Sequence, residues 1–132
     1  MKIASLDIGL KRIGFAICLT SNIIIPQTAI LRKNRNQAAN EIDKLLSAWE
    51  IEILVVGFPK SKEEMQRRIK HFVNLLTFKG KIKFQNEDMS SVEAEDLIKG
   101  SIKYKRDGRI DSLAAKIILE RYICNNEHKN IT

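Results

Sequence analysis

The sequence predicts an α/β fold with a mixed five-stranded sheet flanked by helices, and two patterns along the chain predict it. Apolar runs separated by short turns fill the first 32 residues, which is typical of consecutive antiparallel strands. From residue 36 onward, helical periodicity alternates with short apolar runs, which is typical of strands that crossover helices join in parallel. A chain of 132 residues is long enough for one domain with one core.

The first three strands are predicted over residues 2–7, 12–20 and 23–32. The first two are apolar enough to be central strands. Pro26 cannot donate a hydrogen bond to a neighbouring strand, so it places the third strand at an edge of the sheet. Ser21-Asn22 predicts a hairpin turn between the second and third strands.

Helices and strands then alternate. Residues 36–50 predict a helix, residues 51–58 a strand buried on both faces, residues 61–78 a second helix and residues 81–86 a short strand. Each helix is predicted from apolar residues spaced three and four apart. These residues are Ala38, Ile42, Leu45, Leu46 and Trp49 in the first helix, and Met65, Ile69, Phe72, Val73 and Leu76 in the second.

Two more helices are expected to complete the chain. Ser90 and Glu93 fit a capping box, which predicts the start of the first of them. The last helix is expected to begin near Arg109. A single domain over residues 1–124 and a polar tail over residues 125–132 follow from this assignment. The apolar stripe of the last helix comprises Ile110, Leu113, Ala114, Ile117 and Ile118.

The composition predicts a cytoplasmic protein with a polyanionic partner. The chain has 23 basic and 16 acidic residues and a net charge of +7, which favours nucleic acid over an anionic membrane surface. No apolar stretch approaches the ~20 residues needed to cross a bilayer, and Asp7 interrupts the N-terminus too early for a signal peptide. Cys18 and Cys124 share no motif spacing, so we expect both to be reduced thiols.

Three acidic residues stand where predicted elements begin or end. Asp7 ends the first strand, Glu87 follows the last strand, and Asp111 lies in the first turn of the last helix. An unpaired carboxylate on an apolar strand is costly to bury, so packing alone does not explain Asp7. Simpler roles stay open at this point: Asp7 could pair with Arg12 or Lys11, Glu87 could be a loop acid, and Asp111 could complement the helix dipole.

Converging carboxylates would form a binding site for a hard metal ion. Mg²⁺ prefers oxygen ligands and is often held by carboxylates together with a substrate phosphate, and a pair of metal ions stabilises both oxygens exchanged at phosphorus. We therefore expect a phosphoester-cleaving site that uses Mg²⁺ or Mn²⁺. Basic side chains in the first turn, in the loop after Pro59 and at the start of the last helix are expected to hold the nucleic acid. They are Lys11, Arg12, Lys60, Lys62 and Arg109.

Two nucleotide-binding patterns are rejected. Gly9 and Gly14 have the spacing of a P-loop, but Phe15-Ala16 replaces the lysine and hydroxyl residue that a P-loop requires. Asp7-x-Gly9 is also similar to the phosphate-binding turn of actin-like ATPases. Those proteins place the nucleotide between two such domains, and this chain has the length of one.

Four segments resemble motifs of the YqgF family, whose members are described as Holliday junction resolvases and as pre-16S ribosomal RNA nucleases. The resemblance covers about residues 2–123, and the opening motif is the most specific part of it. The segments are Asp7-Ile-Gly9-Leu-Lys11-Arg12-Ile-Gly14, Val55-Val-Gly57-Phe-Pro59, Asn86-Glu87-Asp88-Met-Ser90-Ser91-Val-Glu93-Ala94 and Asp111-Ser-Leu-Ala114-Ala115-Lys-Ile-Ile-Leu119.

The resemblance implies a ribonuclease H-like fold and a metal-dependent nuclease. It implies that Asp7, Glu87 and Asp111 are catalytic metal ligands for Mg²⁺ or Mn²⁺. The implied substrate is structured precursor 16S ribosomal RNA, trimmed at its 5′ end, with ribosomal particles as further partners. Asn86 and Asp88 depart from the pattern, because the family commonly has an acid and an arginine at these two positions.

Two other functions stay open. The same fold and charge would serve a resolvase of branched DNA, which would act as a homodimer to make paired cuts, whereas a nuclease acting on one RNA strand can be a monomer. The chain could also be a non-catalytic nucleic-acid-binding or ribosome-associated factor. Asp88, a negative charge where arginine is usual, favours this last function.

Overall fold

The structure is a computed structural model that describes residues 2–20, 23–86 and 109–131, with side chains from residue 112 to residue 125 in the last segment. The predicted Ser21-Asn22 turn, the predicted helix after Ser90 and Glu87 itself lie outside the described residues. The described elements are β1 (Ile3–Ile8), β2 (Arg12–Cys18), β3 (Ile24–Leu31), α1 (Arg35–Ala48), β4 (Ile53–Phe58), α2 (Glu63–Asn74), β5 (Lys81–Asn86) and α3 (Arg109–Ile131).

The five strands form one mixed sheet in the order β3-β2-β1-β4-β5. Strand β1 lies at the centre, antiparallel to β2 and parallel to β4. Strand β3 pairs with β2 antiparallel, and β5 pairs with β4 in parallel. The predicted α/β fold class is confirmed, and so is the edge position of the strand that contains Pro26.

Helices cover both faces of this sheet. Side chains alternate between the faces of a strand, and Ala4, Leu6 and Ile8 of β1 are buried in a core shared with α1 and α2. The opposite face packs against α3, where Ala16 of β2 and Val55 of β4 are buried. Helix α3 contributes Ala115, Ile118 and Leu119 to this second core.

Helix α1 begins with a capping box that local sequence explains. The side chain of Asn34 accepts a hydrogen bond of 2.8 Å from the amide of Gln37, and the side chain of Gln37 accepts one of 3.2 Å from the amide of Asn34. Each side chain thereby satisfies a backbone donor that the helix leaves without a partner. Helix α1 therefore starts at Arg35, one residue before the predicted start.

Helix α2 ends at Asn74, four residues before the predicted end. The amide of Leu75 bonds to the carbonyl oxygen of Phe72, which tightens the last turn. The amide of Thr77 then bonds to the carboxylate oxygens of Asp43 at 3.0 and 3.1 Å. This contact draws the chain towards α1 and out of the helical path.

Helix α3 differs from its prediction in two respects. Its backbone stays helical to Ile131, beyond the start of the expected polar tail at residue 125. Its apolar residues also form more than the single predicted stripe. The row that packs on the sheet contains Ala115, Ile118 and Leu119. A separate buried cluster contains Leu113, Ala114 and Ile117, so the helix is apolar on more than one face.

Within the described segments, no helix is both long enough and apolar enough to span a bilayer. Cys18 is buried and Cys124 is exposed, and neither forms a disulfide bond.

Candidate functional site

The carboxyl ends of three parallel strands meet at one side of the sheet, which we call the Asp7 edge. Leu6 of β1 is paired with Val56 of β4, which is paired with Phe84 of β5. Asp7 is one residue further along β1, and β5 ends at Asn86 on the same side. The described part of β5 therefore ends at this edge, and Glu87 is the next residue in the sequence.

Asp7 lies on the face of the sheet that α3 covers. Because side chains alternate, Asp7 shares its face with Ser5, and the hydroxyl of Ser5 donates a hydrogen bond of 2.6 Å to the carbonyl oxygen of Ala115 in α3. The Asp7 side chain is half-buried. Helix α3 thus passes directly over the strand that carries Asp7.

The first turns of α3 lie at the same end of the sheet. Asp7 is paired with Gly14 across the β1–β2 ladder. The amide of Phe15, the next residue, donates a hydrogen bond of 3.3 Å to the hydroxyl of Ser112. Since Asp111 directly precedes Ser112 in α3, its backbone is held near Asp7, although the Asp111 side chain is outside the described side chains.

Two buried serines therefore position the helix, and neither was predicted as a site residue from the sequence. Ser5 and Ser112 are both fully buried. A hydroxyl buried in an apolar segment needs a hydrogen-bond partner. Ser5, within the first apolar strand, was therefore the one sign in the sequence that this strand contacts a polar group elsewhere in the chain. Its partner is 110 residues away, which no local pattern specifies.

Glycines flank Asp7 on both sides within the sheet. Gly14 is its partner on β2, and Gly57 follows Val56, the β4 partner of Leu6. Neither glycine has a side chain that could cover the carboxylate of Asp7. The side chains next to Asp7 on this face therefore come from its own strand and from α3, not from the paired positions of β2 and β4.

The β1–β2 hairpin is held in a tight turn beside Asp7. The amide of Gly9 bonds to the carbonyl oxygen of Arg12 at 3.0 Å, and a Cβ at Gly9 would lie 2.6 Å from that oxygen. The guanidinium of Arg32 donates a hydrogen bond of 2.9 Å to the carbonyl oxygen of Gly9. Lys11 and Arg12 are exposed on this hairpin, two of the five basic residues predicted to bind nucleic acid.

The other predicted basic residues are distributed around the same edge. Lys60 and Lys62 are exposed in the loop between β4 and α2, and Gln66 fixes this loop by donating to the carbonyl oxygens of Pro59 and Lys60 at 2.6 and 3.0 Å. Arg109 is the first residue of α3, and its side chain is not among those described.

The predicted ligand set has the right chemistry for a hard divalent ion. Asp7, Glu87 and Asp111 offer only carboxylate oxygens, which Mg²⁺ and Mn²⁺ favour. Within residues 2–20, 23–86 and the described part of α3, no three His, Cys, Asp or Glu side chains are grouped closely enough to hold a metal ion. Of the three proposed ligands, only the side chain of Asp7 belongs to that part.

The fold defines the class of protein to which this chain is similar. A fowlpox virus Holliday junction resolvase has a TM-score of 0.58 and 16% sequence identity, covering 92% of this chain and 99% of its own. T. thermophilus RuvC, solved with a Holliday junction substrate, has a TM-score of 0.56 and 12% identity, covering 96% of each chain. The architecture is that of the RuvC-like resolvases, which have a ribonuclease H-like fold.

The family follows from sequence. The model of the RuvX family, described as "Holliday junction resolvase", matches residues 1–125, and the chain belongs to this family, which confirms the YqgF resemblance. A relative from Sulfurovum sp. (strain NBC37-1) is 57% identical over 126 residues, covering 93% of this chain and 98% of its own. That relative is named "Putative pre-16S rRNA nuclease".

Proposed function

We propose that this protein is a cytoplasmic, metal-dependent nuclease that hydrolyses phosphodiester bonds during 5′-end maturation of precursor 16S ribosomal RNA. The RuvX family match over residues 1–125 and the name of the 57% identical relative support a nuclease. The net charge of +7 suits a nucleic-acid substrate.

The observation that carries the proposal is the composition of the Asp7 edge. The half-buried carboxylate of Asp7 stands at the end of the central strand, between two glycines. The end of β5 and the start of α3 reach the same edge. These are the two segments that continue to Glu87 and contain Asp111, so three carboxylates from distant parts of the chain can serve one site.

In this proposal Asp7, Glu87 and Asp111 hold Mg²⁺ or Mn²⁺. The bound metal would supply an activated water and stabilise the charge that develops at phosphorus. Lys11 and Arg12 would steady the scissile strand, because they are exposed on the hairpin that follows Asp7. Arg32 orients that hairpin through the carbonyl oxygen of Gly9.

A cleavage assay with one carboxylate neutralised tests the proposal. Wild-type protein should cut precursor 16S ribosomal RNA in Mn²⁺ and not in EDTA. Asp7→Asn should lose cleavage and keep or gain affinity for RNA, since a negative charge next to the phosphates is removed. Glu52→Gln is the matched control, because Glu52 is an exposed carboxylate at the amino end of β4, on the opposite side of the sheet. Cleavage by Asp7→Asn at the wild-type rate would contradict the proposal.

Resolution of branched DNA is the second candidate, favoured by the description of the RuvX family. A resolvase makes paired cuts and therefore acts as a symmetric dimer. A four-way DNA junction offered beside the RNA, with the mass of the protein–junction complex measured by light scattering, separates the two. Paired cuts by a dimer would favour the resolvase, and cleavage of RNA alone by a monomer would favour the RNA nuclease.

The non-catalytic alternative predicts a different pattern in the same assay. A nucleic-acid-binding or ribosome-associated factor would bind RNA with and without metal ions and cut none of the substrates. Asp88, where the family usually has arginine, remains its support in the sequence.

A further inference from the structure

A basic groove of about 750 Å³ lies beside the Asp7 edge, between the β1–β2 hairpin, the start of α1 and the outer face of α2. A groove of this size is large enough for a bound ligand. Among the described residues, five cationic side chains and one carboxylate, Glu64, line it. The cationic residues are Arg32, Lys33, Arg35, Arg67 and Arg68.

The groove has a fixed cationic centre in Arg32. Its guanidinium donates a hydrogen bond of 2.9 Å to the carbonyl oxygen of Gly9 and lies 5.2 Å from the ring centroid of Phe72. Phe72 is fully buried in the core, so the stacked guanidinium has a rigid support. A preorganised arginine binds an anion with little further loss of side-chain entropy.

The positive charges in the groove are close enough to repel one another. Burial lowers the pKa of Arg32, and the neighbouring charges of Arg35 and Arg68 lower this pKa further. Arg68 forms an ion pair with Glu64 at 3.0 Å. Five cations opposed by one carboxylate are an electrostatic cost to the folded protein, and an anion bound in the groove would offset it.

The start of α1 adds to this positive potential. Most helices are stabilised by acids in the first turn, and α2 has Glu63 and Glu64 there. Helix α1 has no acid in its first turn, and its first residue is Arg35, which is exposed. The positive end of the α1 dipole therefore adds to the charge of the arginines instead of being offset by an acid.

We propose that this basic groove binds the sugar–phosphate backbone of the substrate nucleic acid in a segment that flanks the cleavage site. The inference rests on the proposed function only in taking nucleic acid as the substrate. Cations from two separate segments of the chain, residues 32–35 and residues 67–68, suit a series of phosphates better than one small anion. The exposed Lys11 and Arg12 of the hairpin connect the groove to the Asp7 edge.

The groove and the Asp7 side chain lie on different faces of the sheet. The Asp7 side chain shares the face of the sheet that α3 covers, whereas the groove opens beside α1 and α2 on the opposite face. A nucleic acid that occupies both sites would therefore pass the β1–β2 hairpin, which carries the exposed Lys11 and Arg12.

The test compares two double variants that lose equal charge. Arg35→Ala with Arg67→Ala removes two exposed cations from the groove, and Lys44→Ala with Lys79→Ala removes two exposed cations elsewhere. Binding is measured over a series of salt concentrations with a labelled RNA that has a stem and a flanking single strand. The groove variant should bind at least about tenfold more weakly, as expected for one lost charge-assisted contact. The plot of log affinity against log salt concentration has a negative slope, and its magnitude should decrease by about 1.4–1.8 because two contacts to phosphates are lost.

A gain-of-affinity variant keeps the test independent of folding defects. Glu64→Gln removes the carboxylate that lines the groove and breaks its ion pair with Arg68. The Glu64→Gln variant should therefore bind the same RNA more tightly. Equal affinities and salt slopes for the groove variant and the control, or unchanged binding by Glu64→Gln, would overturn the groove.

The cleavage rate separates failure of the groove from failure of the proposed function. With a short single-stranded substrate at saturation, the groove variant should cut at the wild-type rate, because the residues of the Asp7 edge are unchanged. If wild-type protein cuts no substrate, the nuclease proposal fails, and the binding comparison still decides the groove.

Discussion

The hydroxyl of Ser5 donates a hydrogen bond of 2.6 Å to the carbonyl oxygen of Ala115, and both residues are fully buried. Ser5 is two residues before Asp7 on β1, and Ala115 is four residues after Asp111 on α3. One buried contact thus fixes the distance between the strand and the helix that carry two of the proposed metal ligands.

Removing this contact should affect cleavage more than folding. Ser5→Ala deletes one buried hydrogen bond, so the free energy of unfolding should fall by about 1 kcal/mol, measured by urea denaturation. If α3 shifts relative to β1, kcat should fall while the affinity for RNA stays near that of wild type. Ser47→Ala, an exposed hydroxyl on α1, should change stability by less than about 0.5 kcal/mol. Equal effects of the two variants on stability and on kcat would contradict the positioning role of Ser5.

Packing of α3 on the sheet should contribute strongly to stability. Ile118 is fully buried against Ala16 and Val55, so Ile118→Ala leaves a cavity and should cost about 2–5 kcal/mol. Leu10→Ala is the control, because Leu10 is 63% exposed and its truncation should cost little. Thermal and urea unfolding measure both changes. A cost below about 1 kcal/mol for Ile118→Ala would show that α3 is loosely attached.

The turn at Gly9 should be intolerant of any side chain. A Cβ there would lie 2.6 Å from the carbonyl oxygen of Arg12, so Gly9→Ala must displace the hairpin, at a cost of about 1–3 kcal/mol. Because the hairpin follows Asp7 and presents Lys11 and Arg12, the cleavage rate should also fall.

Gly80 provides a matched control for that substitution. A Cβ at Gly80 would lie 2.5 Å from the carbonyl oxygen of Glu52 and would also meet the ring of Phe78. Gly80→Ala should therefore destabilise the protein to a similar degree, but at the opposite side of the sheet. Cleavage per folded molecule should fall only for Gly9→Ala; an equal loss for both variants would assign the effect to stability alone.

Metal binding should be measurable as added stability. A ligand that binds only the folded state at about 100 times its Kd stabilises it by about 2.7 kcal/mol, so Mg²⁺ or Mn²⁺ should raise the Tm of wild-type protein and EDTA should reverse the rise. Asp7→Asn should lose most of this shift, whereas Glu52→Gln should retain it. Identical shifts for wild type and Asp7→Asn would remove Asp7 from the metal site.

Local sequence was sufficient for most of the fold. Alternating and continuous apolar runs predicted the five strands, and the missing amide of Pro26 placed β3 at an edge, as found. The end of α2 was predicted too late because the contact between Asp43 and Thr77 joins residues 34 positions apart. The roles of Asp7, Glu87 and Asp111 were predicted from motif residues and remain predictions.

The sequence by itself determined which segments are helices and strands, which acids lie at their ends and to which family the chain belongs. Each of these depends on short-range periodicity or on a contiguous motif. The tertiary structure alone decided that Asp7 shares a face with α3 and that Ser5 meets Ala115. It also decided that arginines from the start of α1 and from α2 line one groove together with Leu10 of the hairpin. These relationships depend on how helices pack on the sheet, and packing brings together residues whose separation along the chain carries no local signal.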